Sequence, residues 1–155
     1  MADSKVVVKV GNIVDAEEPY IAHQCNCTTD YVRGVAQAIF DAYPMAGWYL
    51  NIMAWTPPQV GSITITETRG KKIVNMFAQR YPGKARGGET EADRLKWFVG
   101  CLNKLAARLE VGARVAMPYG IGCGLAGGDM KAYMGAIETW SMSARVEQVV
   151  LYKLD

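Results

Sequence analysis

The sequence predicts an α/β fold whose central, partly parallel sheet carries helices on both faces. Two observations point there. From Thr90 onward a long amphipathic stretch, an apolar run, a second helical stretch and a β-branched run follow one another. That alternation builds parallel strand–helix–strand units. Between the apolar run 113–117 and the helical stretch from Asp129, five glycines fall between Gly120 and Gly128. A strand therefore passes into a helix through a glycine-rich loop.

The elements follow in order. Val6-Val7-Val8-Lys9-Val10 is β-branched and reads as a first strand, ended by Gly11-Asn12. Tyr20 to Cys25 reads as a second strand buried on both faces, followed by a polar loop from Asn26 to Arg33. Gly34 to Tyr43 places Val35, Ala38 and Ile39 on one side of a short helix that Pro44 ends. Residues 45–56, with Trp48, Tyr49, Leu50, Ile52 and Trp55, suit a second short helix or a packed irregular segment. Ser62 to Thr66 alternates as a strand with one wet face, Arg69-Gly70-Lys71 turns the chain, and Lys72 to Phe77 returns. Residues 79–89 form a long flexible loop. Thr90 caps the longest helix, whose stripe Leu95, Phe98, Leu102, Leu105 and Leu109 faces the core until Gly112. After the glycine loop come a helix from about Asp129 to Met142 and a final strand from Gln148 to Leu154.

A chain of 155 residues, half of them hydrophobic, makes one domain, 1–155, with a self-sufficient core. A net charge of +2 gives no strong case for nucleic acid or a membrane surface. The start Met-Ala-Asp-Ser-Lys lacks the apolar stretch of a signal peptide, and the four cysteines are expected to be reduced, so a cytoplasmic location is expected.

The glycine-rich loop carries the chemistry. Glycines let a backbone approach a ligand closely, and amides lining such a loop beside a helix start receive an anion. A diphosphate is the expected guest; a plain glycine-rich turn is the alternative. No Lys-Ser or Lys-Thr follows, so this is not a Walker A loop. In an open α/β sheet, ligands bind beyond the carboxyl ends of parallel strands. The loops after the second strand and after Met117 both leave such ends, and two helix N-termini facing one crevice would clamp a diphosphate. His23, Cys25 and Cys27 alternate and share a strand face. With Cys123 they form a zinc alternative, but the spacing lacks a C-x2-C knuckle and small buried thiols explain it; no metal is expected.

Ile21-Ala22-His23-Gln24-Cys25-Asn26-Cys27, then Gly34 to Ile39, then Gly120-Ile121-Gly122-Cys123-Gly124-Leu125-Ala126-Gly127-Gly128-Asp129 resemble the macrodomain family over essentially the whole chain. The segments Asn75-Met76-Phe77, Pro82-Gly83-Lys84 and the ending Val-Leu-Tyr-Lys-Leu-Asp look like its small branch of ADP-ribose 1''-phosphate phosphatases and terminal ADP-ribose protein glycohydrolases. The resemblance implies a three-layer α/β/α sandwich with a mixed, partly parallel sheet of about six strands, and an ADP-ribose cleft. It implies that Asn26 meets the distal ribose and that Gly34 and Val35 offer amides to the diphosphate. Gly120, Ile121, Gly122, Cys123, Gly124 and Leu125 would wrap it from the other side. Tyr152 would lie against the adenine, with Asn12 and Ile13 at its edge. Asn12 stands where many relatives carry Asp, and Tyr31-Val32-Arg33 stands where they carry small residues; Arg33 would then add charge to the phosphate site or shield it.

In the glycohydrolase branch a lysine and an aspartate catalyse; here those positions are Gln79 and Ala126, which can do neither job. The resemblance therefore implies a metal-independent, cofactor-free hydrolase that converts ADP-ribose 1''-phosphate to ADP-ribose and phosphate. His23 and Asp129 are the proton-transfer candidates, and Asn26 orients the ribose or water. For His23 the alternative is a buried strand histidine, and for Asp129 a helix cap. Two other functions stay open: removal of ADP-ribose from modified protein or nucleic acid, and non-catalytic reading or sequestration of ADP-ribose-type nucleotides. The small-molecule partner is ADP-ribose or its 1''-phosphate, with ADP-ribosylated macromolecules as further partners and no membrane partner.

Overall fold

The computed structural model describes residues 4–28, 33–47 and 57–154. Six strands form one sheet: β1 (Val6–Val10), β2 (Tyr20–Asn26), β3 (Ile63–Thr68), β4 (Lys71–Gln79), β5 (Ala113–Pro118) and β6 (Val146–Lys153). Three α-helices stand among the described residues: α1 (Gly34–Ala42), α2 (Glu91–Arg108) and α3 (Met130–Ser141). Short 3-10 turns cover Ile13–Asp15 and Pro44–Ala46. The reading of 45–56 as a further helix falls mostly outside the described residues, as do Tyr31 and Val32 of the polar loop.

The spatial order is β1-β6-β5-β2-β4-β3, parallel except for the β3–β4 hairpin. Helices cover both faces. On one, Phe98, Leu102 and Leu105 of α2 and Tyr133, Ile137 and Trp140 of α3 pack on Ala22, Val74, Met76, Val115, Met117 and Leu151. Each large apolar side chain, fully buried, contributes about 1.5–3 kcal/mol. On the other, Ile39 and Phe40 of α1, with Ile13 and Ala46, pack on Ile21, Ile73, Phe77, Ala116 and Val150. Successive residues of a strand point to opposite faces, so Ile21 and Ala22 belong to different cores. The sheet is mixed and the architecture is the expected α/β/α sandwich.

This order positions the site. β2 and β5 are neighbours, yet β2 leads into α1 on one face and β5 leads toward α3 on the other. Their two outgoing loops part at the carboxyl ends and open a crevice between them, the usual ligand position of such sheets. Next to it the β2–β4 register shifts between Gln24 and Asn26, so that Asn26 pairs with Gln79. A bulge of this kind locally re-aims side chains.

Candidate ligand-binding cleft

A cleft of about 670 Å³ opens at those strand ends. Its floor comes from β2, β4 and β5 through His23, Gln24, Cys25, Asn26, Gln79 and Pro118. One wall is the start of α1, Arg33 to Ala36; the opposite wall is the glycine loop; Pro82, Gly83 and Arg86 close a third side. Among the described lining residues the charged ones are Arg33 and Arg86, and none is a carboxylate.

The α1 wall presents amides that no side chain caps among the described residues. Both other helices are capped by side chains: Thr90 and Asp93 form a reciprocal capping box on α2, and the Asp129 carboxylate accepts from the Lys131 N–H at 3.1 Å on α3. Arg33, the N-cap of α1, provides no such bond. The first helical N–H groups of α1 have no intrahelical partner and carry the positive end of the helix dipole into the cleft. Gly34 opens this helix at φ +62°, a backbone angle that glycine accepts readily, and a Cβ there would stand 3.5 Å from Leu125 on the opposite wall.

The glycine loop is a chain of tight turns. The N–H groups of Ile121, Cys123, Gly127 and Gly128 bond to the carbonyls of Pro118, Gly120, Gly124 and Gly122 respectively. The amides of Gly122, Gly124, Leu125 and Ala126 have no acceptor among the described residues. Gly122 sits at φ +75°, and a Cβ there would lie 2.4 Å from the Tyr133 ring, so glycine is a packing requirement of this loop.

The site residues expected from the sequence divide in two. Asn26, Gly34, Val35, Gly120, Ile121, Gly122, Gly124 and Leu125 line the cleft together. The buried Asn26 Oδ1 accepts from the Thr28 N–H at 3.0 Å. Asn12, Ile13, Cys123, Tyr152 and Asp129 do not line it. Asn12 caps the 3-10 turn, accepting from the Val14 N–H at 3.1 Å, and Ile13 is buried in the α1-side core. The Cys123 thiol donates to the carbonyl of Ile121. Tyr152 is buried, and its hydroxyl meets Glu18 at 2.6 Å; burial and that contact push its pKa up to about 12. Exposed Asp129 caps α3, and among the described lining residues the helix start represented is that of α1.

His23 contributes to the floor, but its ring is 1% exposed. It packs edge-on against Phe40, and Nε2 lies 2.7 Å from Asn75 Oδ1. Burial lowers its pKa to about 4 against the partial support of Asn75, so the ring is neutral at pH 7. Cys25 and Cys27 share its core side, and burial raises both thiols, Cys27 to about 11. Among the described residues no three His, Cys, Asp or Glu side chains gather in a metal-holding group.

The lining also includes Gln24 and Tyr119, which sequence reasoning does not single out. Gln24 Nε2 donates to Gln79 Oε1 at 2.8 Å, and Gln79 Nε2 donates to the Tyr81 carbonyl at 2.8 Å. Tyr119, 39% exposed, lines the cleft beside Tyr152's strand. The segment 79–89, expected to be flexible, is fastened from below by the buried Arg94–Glu89 pair. Periodicity holds the signal: position 94 lies four residues before Phe98 and seven before Cys101, on the buried stripe of α2.

Set against solved structures, the chain is similar to the macrodomain of Mycobacterium tuberculosis DarG, with a TM-score of 0.75 at 16% identity over 97% of this chain and 98% of that one. Alphavirus P23pro-zbd gives a TM-score of 0.71 at 21% identity; all of this chain is covered, and it spans 22% of that chain. The Trypanosoma brucei macrodomain in complex with ADP-ribose gives 0.67 at 13% identity, over 96% of this chain and 63% of that one. No protein-family model and no curated protein matches the sequence. The protein has the macrodomain fold.

Proposed function

We propose that the cleft binds ADP-ribose, with the diphosphate held between the start of α1 and the glycine loop. The observation that carries this reading is the pairing of two bare-amide surfaces. Among the described residues, the N-terminus of α1 has no side-chain cap and the amides of Gly122, Gly124, Leu125 and Ala126 have no acceptor; the two line opposite walls of one cleft whose charged lining residues are arginines. Backbone N–H groups fixed in this way stabilise phosphate without the cost of ordering side chains. The Trypanosoma brucei macrodomain, similar in fold, is a complex with ADP-ribose. Asn26, buried at the floor, is then the polar side chain offered to the distal ribose.

A second reading is hydrolysis of ADP-ribose 1''-phosphate to ADP-ribose and phosphate. Asn26 favours it, because it lines the cleft and is the residue the resemblance sets beside the distal ribose. His23 and Asp129 do not support it as proton carriers: one is neutral and bonded inside the core, the other caps α3 outside the cleft. Turnover would rest on Asn26 and on the amide donors, which stabilise charge without moving a proton. Release of ADP-ribose from modified protein or nucleic acid is a third outcome of the same test.

Calorimetry with ADP-ribose, ADP and ribose 5-phosphate tests binding. Phosphate release from ADP-ribose 1''-phosphate, and ADP-ribose release from a modified protein and a modified oligonucleotide, test turnover. Binding of ADP-ribose without release in any assay supports a reader. Absence of ADP-ribose binding at millimolar concentration overturns the proposal.

A further inference from the structure

Arg94 leaves the first turn of α2 and is 2% exposed. Its Nε bonds to the Glu89 carboxylate. One terminal nitrogen donates to the Gly83 carbonyl at 2.6 Å and to the Ala126 carbonyl at 3.4 Å; the other donates to the Tyr81 carbonyl at 2.9 Å. Glu89 in turn accepts the backbone N–H of Arg80 at 3.1 Å. One planar cation therefore holds both ends of the segment 80–89 and reaches across to the glycine loop. The two segments also touch directly: a Cβ on Gly127 would stand 3.0 Å from Lys84 Cγ. Both segments line the cleft, one through Pro82, Gly83 and Arg86, the other through Gly124, Leu125 and Ala126.

We infer that Arg94 is a positioning residue that locks the 80–89 segment and the glycine loop into one unit and so sets the width of the ligand cleft. The inference deepens the proposed nucleotide site and rests on it for the affinity it predicts. Burying a guanidinium is costly unless its donors are satisfied, and here the donors are satisfied by backbone carbonyls of two cleft walls as well as by Glu89. Lysine is no substitute: its compact ammonium cannot present a flat fork to four acceptors in these directions.

The test separates position from fold. Arg94→Lys keeps the charge opposite Glu89, and Arg94→Ala leaves a guanidinium-sized space that ethylguanidinium can refill. Residue-resolved hydrogen exchange follows four bonded amides, Arg80 and Glu89 in one wall and Gly127 and Gly128 in the other. The expected result is faster exchange at all four with the sheet unchanged, at least tenfold weaker ADP-ribose binding in Arg94→Lys, and recovery of both in Arg94→Ala with ethylguanidinium. Exchange that rises at Arg80 and Glu89 only overturns the inference, as does a folded variant with affinity within twofold of wild type. If neither variant folds, Glu89→Gln carries the exchange measurement with the same two outcomes. Wild type that fails to bind ADP-ribose sinks the proposed function instead, while the exchange pattern still decides the role of Arg94.

Discussion

His23 and Asn75 face each other across neighbouring strands, paired in register, with Nε2 of the imidazole 2.7 Å from Oδ1 of the amide. Asn75 spends its own Nδ2–H on the carbonyl of Ala46, also at 2.7 Å. Asn75 Oδ1 is therefore an acceptor, and His23 carries its proton on Nε2. The pair ties β2 and β4 to the 3-10 turn beneath α1. A proton added to this ring would be buried among Phe40 and Cys25, and burial lowers the pKa to about 4.

The sign of the consequence follows from linkage. Between pH 6.5 and 4 the unfolded chain binds a proton at position 23 and the native protein does not, so stability falls as pH falls through that window. Above pH 6.5 this loss is absent. Urea unfolding at pH 7 and pH 4.5 should show wild type losing about 2–3 kcal/mol more than His23→Gln, which keeps a donor for Asn75 but does not titrate. Equal losses in the two proteins would mean that the ring is not held neutral by burial.

Two glycines of the loop are expected to behave differently. A side chain at Gly122 would meet the Tyr133 ring and strain a positive φ, so Gly122→Val should lose both fold and ligand, which decides nothing about the site. Gly124 lies outside the positive-φ region, and a Cβ added there would meet no atom of the described residues beyond its chain neighbours within 4 Å, yet the residue lines the cleft. Gly124→Val should keep its melting temperature within a few degrees and weaken ADP-ribose binding at least tenfold, about 1.4 kcal/mol. Unchanged affinity in the folded variant would remove this loop from the proposed diphosphate site.

Much of the fold is legible in local pattern. The runs at Val6, Tyr20, Lys72 and Ala113 are strands, and the Leu and Phe spacing of 90–109 is α2, because period and β-branching report which faces are buried. The strand order is not legible, since no local pattern says that β5 lies beside β2. That order decides which loops share a crevice, and with it that Tyr119 lines the cleft and Tyr152 does not. Arg94 escapes a sequence reading for a different reason. An arginine near the start of a helix reads as solvated, although its place on the apolar stripe marks it as buried.

Asp129 shows a limit set by chemistry: an N-cap and a general acid–base group use the same side chain. Here the carboxylate is exposed, accepts from the Lys131 N–H at 3.1 Å and stands outside the cleft lining. Asp129→Ala should cost about 1 kcal/mol of stability through the lost cap. ADP-ribose affinity should stay within twofold by calorimetry, and so should any phosphate release from ADP-ribose 1''-phosphate. A fall in turnover of about a hundredfold or more, in a protein that still binds, would return Asp129 to the chemistry.

The resemblance sets Tyr152 against the adenine, but its ring is buried and its hydroxyl is engaged by Glu18 at 2.6 Å. Tyr119, just past the end of β5, bonds through its N–H to the Tyr152 carbonyl at 2.9 Å and stands partly exposed in the cleft lining. Lys153 Nζ lies 5.1 Å from its ring centroid. A purine stacked on an aromatic ring is worth about 1–3 kcal/mol. Tyr119→Ala should therefore weaken ADP-ribose and AMP by about five- to 150-fold and leave ribose 5-phosphate nearly unchanged. Tyr152→Phe removes the hydroxyl that meets Glu18, so it should lower the melting temperature while ADP-ribose affinity holds. If Tyr119→Ala binds ADP-ribose as wild type does and Tyr152→Ala, still folded, does not, the base lies on β6 and Tyr119 is only a rim residue.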